Sequence, residues 1–241
     1  MPSESLFKPK PVSGFSHKHL VVIPADVPSR ILNRTLKEHA IRSCRVLFGR
    51  LFYFERHAVL YGGIGAPALT LVLEPLLVSG AEQILFLGLA GALTPRLLLR
   101  SAVVIDSALT EEGTSRHYIP GKKVFSSSPE MSEEMERFLK KKHLPYKRAS
   151  VVSTDAPYRE TEEWISEQSA GGFELVDMEI SAVFALSEYY GARAAALTLV
   201  SDQLTGKEHK QEFYKLDDTI RSYFFPLIKN NTINQENSHA S

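Results

Sequence analysis

Three segments of this chain combine residue types and spacings that could do chemistry. The first is Gly62-Gly63-Ile64-Gly65, followed by Pro67, which suits the first turn of a helix. It reads either as a tight turn or as a nest of backbone N–H groups beside a helix N-terminus, a place for an anion. The second is Asp177-Met178-Glu179, set between a short strand and a helix-periodic run through Ala182, Ala185, Leu186 and Tyr189. These acids either cap the helix, or place a carboxylate at a strand end where it can accept both vicinal hydroxyls of a ribose. The third is Ser201-Asp202, just past the apolar run Ala194 to Val200. Ligands of α/β sheets gather beyond the carboxyl ends of strands, so Asp202 is a site candidate; an Asx turn is the plainer reading.

Other chemistries lack their residues. Gly63-Ile64-Gly65 has Ala68 where a dinucleotide fingerprint needs its third glycine, and Gly206-Lys207 has no glycine five residues before it, so neither phosphate-loop pattern is met. There is no HExxH, no paired CxxC and no serine in G-x-S-x-G. His17 and His19 form the only close histidine pair, and no metal site is expected.

The elements that must position these residues alternate. Strands are expected at Leu20 to Ile23, Cys44 to Phe48, Leu51 to Glu55 and His57 to Tyr61, with a helix from Ser29 to His39 between the first two. A helix from Pro67 to Ser79 precedes a strand at Ile84 to Leu87, a turn at Gly88-Leu89-Ala90-Gly91 and a strand at Ala102 to Ile105. Glu111 to Pro120 reads as a loop, and Ser128-Pro129-Glu130 opens a helix to Lys142, whose Lys140-Lys141-Lys142 complements the helix dipole. Strands at Ala149 to Val152 and Glu174 to Val176, a helix from Met178 to Tyr190, the apolar run Ala194 to Val200 and a last helix from His209 to Ile228 follow. This is the alternation of an α/β fold. One domain over residues 20–228 is expected, after an N-terminal segment 1–19 and before a polar, unordered tail 229–241.

Composition bounds the partners. The 241 residues include 28 Lys plus Arg against 28 Asp plus Glu, so broad binding to nucleic acid or to an anionic membrane is not expected. Local basic pockets stay open. The longest apolar run, Ile84 to Leu93, is about half the length of a membrane-spanning helix. Cys44 stands alone, and with no signal-like stretch in the first twenty residues a reducing, cytoplasmic location is expected.

Taken in order, Gly62-Gly-Ile-Gly-Ala-Pro67, Gly88-Leu-Ala-Gly-Ala92, Glu111 to Tyr118, Ser153-Thr-Asp-Ala-Pro-Tyr158, Asp177-Met-Glu179 and Val200-Ser-Asp202 resemble the purine nucleoside and uridine phosphorylase family. Its relatives include nucleosidases that use water in place of phosphate. The resemblance spans about residues 20 to 225. It implies a three-layer, phosphorylase/hydrolase-like α/β fold around a mixed, barrel-like sheet, assembled as a homo-oligomer (dimer or hexamer), with no cofactor and phosphate as co-substrate. By motif position, Glu179 would hold the ribose hydroxyls and Met178 would pack on the sugar. Ala90, Gly91 and Tyr158 would line the base, and Asp202 would be the general acid. Gly65, Arg30 and Arg45 would bind phosphate, Arg45 from a neighbouring subunit. An acid facing purine N7 can protonate the departing base, a role worth roughly 10²–10⁴-fold. An acid there, with no Gln/Arg pair after Tyr158, favours purine over pyrimidine.

The departures concern the nucleophile. The family's Gly-Asp-Pro-x-x-Arg reads Ala25-Asp26-Val27-Pro28-Ser29-Arg30, so Arg30 fits only with a one-residue shift. Phe86 and Leu89 stand where the family carries an arginine and a hydroxyl residue that bind phosphate. One charged hydrogen bond is worth about 1.5–3 kcal/mol, so the missing arginine alone would weaken phosphate binding roughly 10- to 100-fold. Three outcomes fit this pattern: a phosphorylase that holds phosphate differently, a nucleosidase using water, and a non-catalytic nucleoside-binding protein.

Overall fold

The computed structural model describes residues 5–27, 29–205 and 209–230. Pro28, Gly206-Lys207 and the tail beyond 230 lie outside them. In chain order the elements are β1 (His19–Ile23), α1 (Arg30–His39), β2 (Arg42–Val46), β3 (Gly49–Tyr53), β4 (Ala58–Gly62), α2 (Ala66–Val78), β5 (Gln83–Ala92) and β6 (Ala102–Thr110). They continue as β7 (Val124–Ser126), α3 (Pro129–Lys141), β8 (Lys147–Ser153), α4 (Glu162–Ala170), β9 (Phe173–Asp177), α5 (Ile180–Tyr190), β10 (Arg193–Gln203), β11 (Lys210–Gln211) and α6 (Asp217–Asn230). Short 3₁₀ turns lie at Ser115–His117, Pro157–Arg159 and Phe213–Lys215.

The strands form one mixed sheet. β5, β10, β6, β8 and β9 pair in a ring, because β5 bonds β10 on one side and β9 on the other, which closes a five-stranded barrel. A second arm runs outward from β5 through β1, β4, β3 and β2. The apolar runs on these strands are buried on both faces. Residues such as Val22, Phe86 and Ala196 face a core shared with α2 and α5, whereas Val21, Leu85 and Leu197 face one shared with α1, α3 and α6. That is the expected three-layer arrangement. No helix among the described residues is long and apolar enough to cross a membrane.

Four expectations need correction, and tertiary pairing explains each. Gly88 to Gly91 is not a turn; it is the second half of β5, buried throughout. Its glycines serve close approach. A Cβ on Gly88 would lie 2.4 Å from the Phe86 ring, and one on Gly91 would lie 2.6 Å from Leu204 and 3.0 Å from the Asp202 carboxylate. Ser201-Asp202 is not beyond the strand but inside β10, at a register shift between Val200 and Asp202. The last helix begins at Asp217, because β11 folds back on β10 with Asp202 opposite Gln211. The helix expected from Met178 starts at Ile180, leaving Met178 and Glu179 on the turn before it. Two further elements, β7 and α4, carried no expectation, although Thr161 caps α4 by accepting from the Trp164 N–H, with Glu162 and Glu163 in its first turn.

Candidate functional site

The three chemistry-bearing segments converge where β1, β4, β5, β9 and β10 end. The glycine loop leaves β4 with positive φ at Gly63 (75°) and Gly65 (77°), conformations that suit glycine. The loop is pinned from two sides: the Gly63 N–H donates to the Phe48 carbonyl (3.1 Å), and the Ala25 N–H donates to the Gly63 carbonyl (2.9 Å). This sets the segment after β1, with Asp26, against the start of α2. Across from it, the Met178 methyl would be 4.0 Å from a Cβ on Gly65, so Met178 packs directly over the loop.

Asp177 and Glu179 divide the two readings of their motif between them. Asp177 is the cap: its Oδ2 accepts from the N–H groups of Glu179 (2.9 Å) and Ile180 (2.8 Å), while Ser153 Oγ donates to its Oδ1. Burial raises its pKa to about 6 against the lowering effect of those bonds. Glu179 is equally buried, and its Oε1 accepts from the Gly65 N–H at 2.6 Å. The donor assigned to phosphate by motif position is therefore occupied by Glu179 in this structure. Burial first, then the charges of Asp26 and Asp177, hold the Glu179 carboxyl well above its ordinary range.

Asp26 is the residue that sequence reasoning passed over. It was read only as a position in a family motif. Its Oδ1 is buried with no hydrogen-bond partner, and burial pushes its pKa up to about 6. A buried acceptor without a donor is costly, and functional sites are where such cost is tolerated. The signal available in sequence was an acid immediately after the first strand, at the end where ligands gather.

The other end of the site is built on Gly91. Because Gly91 has no side chain, β10 brings the Asp202 carboxylate over it, with Val176 on the opposite side. The bulge at Ser201 turns two consecutive polar side chains into the same region. Ser201 Oγ donates to Asp202 Oδ1 (2.7 Å), and His209 Nε2 lies 2.9 Å from Oδ2. Ala90 is buried behind them, its carbonyl 3.4 Å from Ser201 Oγ. His209 was also missed, because only the β10–β11 return brings it onto Asp202. Glu160 lies near this pair, its pKa raised to about 7 by burial first and by Asp202 second, with His209 opposing.

The remaining assignments do not meet at the site. Tyr158 is 99% exposed on the 3₁₀ turn Pro157–Arg159. Arg30 is the first residue of α1 and is exposed, with no ion pair among the described residues. Arg45 is exposed on β2, three strands from β1, a separation of ~14 Å that keeps it from the site of its own chain. Phe86 and Leu89 are buried in opposite faces of β5, and the Phe86 ring lies over Gly88. No cation can stand there without displacing core.

Comparison with known proteins gives a consistent picture. The family model described as the Phosphorylase superfamily matches residues 22–222. A guanosine phosphorylase from Halorubrum lacusprofundi is 30% identical over 152 residues, which cover 61% of either chain. A DeoD-type purine nucleoside phosphorylase from Bacillus cereus is 27% identical over 167 residues, 66% of this chain and 68% of that one. Among solved structures, a purine nucleoside phosphorylase from Toxoplasma gondii in complex with immucillin-H superposes with a TM-score of 0.70 at 16% identity, over 86% of this chain and 88% of that one. That likeness is one of fold.

Proposed function

The chain belongs to the phosphorylase superfamily, and from that premise we propose that it cleaves the N-glycosidic bond of a purine nucleoside with phosphate, giving free base and pentose 1-phosphate. The observation that carries the reading is the Asp202–His209 pair, buried at its Asp202 end and held over Gly91 in the same rim as Glu179. Cleavage leaves a sugar with oxocarbenium character and a base that departs poorly as an anion. A proton shared by Asp202 and His209 is placed to be handed to that base. Glu179, with one oxygen anchored to Gly65, offers the other to the ribose hydroxyls, and Met178 covers the sugar face. The names of the relatives support purine as the base class.

With Gly65 engaged by Glu179, phosphate would depend on Arg30 and on Arg45 from a second copy, and the active unit would be at least a dimer. One observation favours a second reading, in which water attacks. Asp26 Oδ1 is an unpartnered carboxylate oxygen beside Glu179, able to take a proton from a water, whereas the phosphate arginine is replaced by Phe86. Release of free base from a purine nucleoside panel, with and without phosphate, separates the two. Dependence on phosphate is the expected result. Equal release without it would transfer the reaction to water and Asp26, and binding without release would remove the enzymatic reading.

A further inference from the structure

Away from the site, α1 and α6 flank an open groove of about 660 Å³ between their outer faces and the end of α3. Its cations are Arg34 from α1, Lys142 from the cap of α3, and Arg221 and Lys229 from α6. Glu38 is the single lining carboxylate, and it is bound to Arg34 at 2.7 Å. Lys142, Arg221 and Lys229 have no carboxylate partner among the described residues. In a chain of zero net charge, this is a local surplus of three positive charges.

Helix dipoles account for only part of that surplus. Lys142 and Lys229 lie at the C-terminal ends of α3 and α6, where cations are favoured. Arg34 lies in the interior of α1 and Arg221 in the second turn of α6, where no dipole calls for a positive charge. The two guanidiniums are the forked donors best matched to phosphate oxygens. Ile31 on α1 and Phe225 on α6 are half-buried and give the groove an apolar part. The volume falls within the range of small-molecule sites.

We propose that the groove between α1 and α6 binds a nucleoside polyphosphate, with its phosphates on Arg34 and Arg221 and its base against Phe225 and Ile31. The helices that line it lead back toward the catalytic rim. α1 begins four residues after Asp26, and its cap Ser29 donates to Asp217 at the start of α6 (2.7 Å).

The test is calorimetric titration of the full 241-residue chain with ATP and, separately, with inorganic triphosphate. It is run on the unaltered chain, on R221E and on D202N, with base release measured in parallel. Arg221 is exposed, so its reversal leaves the core intact. The expected result is saturable ATP binding weakened at least tenfold in R221E and by raised salt, unchanged in D202N, and tighter than that of triphosphate. Base release in R221E without ATP stays at the level of the unaltered chain. Equal ATP affinity in R221E, loss of binding in D202N, no saturation at millimolar ATP, or equal affinity for triphosphate would each overturn the proposal. These outcomes do not depend on which nucleophile the catalytic site uses.

Discussion

Asp202 is held by Ser201 on one oxygen and His209 on the other, so its substitution tests chemistry more than shape. Asp202→Asn keeps the side chain's size and removes its ability to pass on a proton. Base release is expected to fall by ~10²–10⁴-fold, while an unreactive nucleoside analogue binds with little change in Kd by calorimetry. Unchanged turnover would remove the general-acid role. Glu179→Ala is expected to raise KM for ribonucleosides and narrow their preference over 2′-deoxy analogues, measured as kcat/KM ratios. Asp26 allows a prediction about stability. Its pKa is raised from 3.8 to about 6, so its charged form weighs against folding above pH 6 and the penalty vanishes toward pH 4. Asp26→Asn is therefore expected to stabilise the protein by ~1–3 kcal/mol at pH 7.5 and by progressively less at pH 5, followed by thermal melts. A gain independent of pH would mean that desolvation of Asp26 is not its source. At this scale the sequence was informative about residue type and incomplete about partners. Asp202 and Glu179 stood out as acids at strand ends. His209 and Glu160 did not, because nothing local links either residue to Asp202.

β5 shows how an element can be misread for sound local reasons. Glycine pairs punctuate most chains, so Gly88 and Gly91 read as a turn. In the barrel they serve as gaps, admitting the Phe86 ring at one and the Asp202 carboxylate at the other. Gly91→Ala should accordingly act on function. Its Cβ would lie 3.0 Å from Asp202 Oδ2, and kcat/KM is expected to drop at least tenfold with the far-ultraviolet circular dichroism unchanged. Full activity in that variant would show that Asp202 tolerates displacement. Phe86→Arg tests the nucleophile side at the same scale. Phe86 is wholly buried, so restoring the family's arginine places a charge in packed core, and a loss of ~3–5 kcal/mol in chemical unfolding is expected with no gain in phosphate affinity. The strands β1, β4, β6, β8 and β10 were legible as β-branched or apolar runs. Their ends were not, because register and bulges depend on the neighbouring strand.

For the whole molecule, the two arms of the sheet divide the labour. The closed ring of β5, β10, β6, β8 and β9 holds the Asp202–His209 pair, and the open arm through β1 and β4 holds the glycine loop and Asp26. Arg45 lies farthest along that arm, so any phosphate role for it requires a second copy. Co-assembly of Arg45→Ala with Asp202→Asn chains tests this: mixed oligomers should regain activity that neither variant has alone, because one site in each mixed pair then keeps both residues. Absence of recovery would return Arg45 to a surface role. By itself the sequence determined the α/β class, most of the strands and helices in their order, the superfamily and two of the acids, since these follow from hydrophobic periodicity, turn chemistry and short motifs that act along the chain. Only the tertiary structure decided that Gly65 is taken by Glu179, that His209 closes on Asp202, that Tyr158 points to solvent and that one oxygen of Asp26 is left without a partner. Each of these depends on which distant segments share a barrel end, and burial there sets which polar groups find donors and which keep their protons.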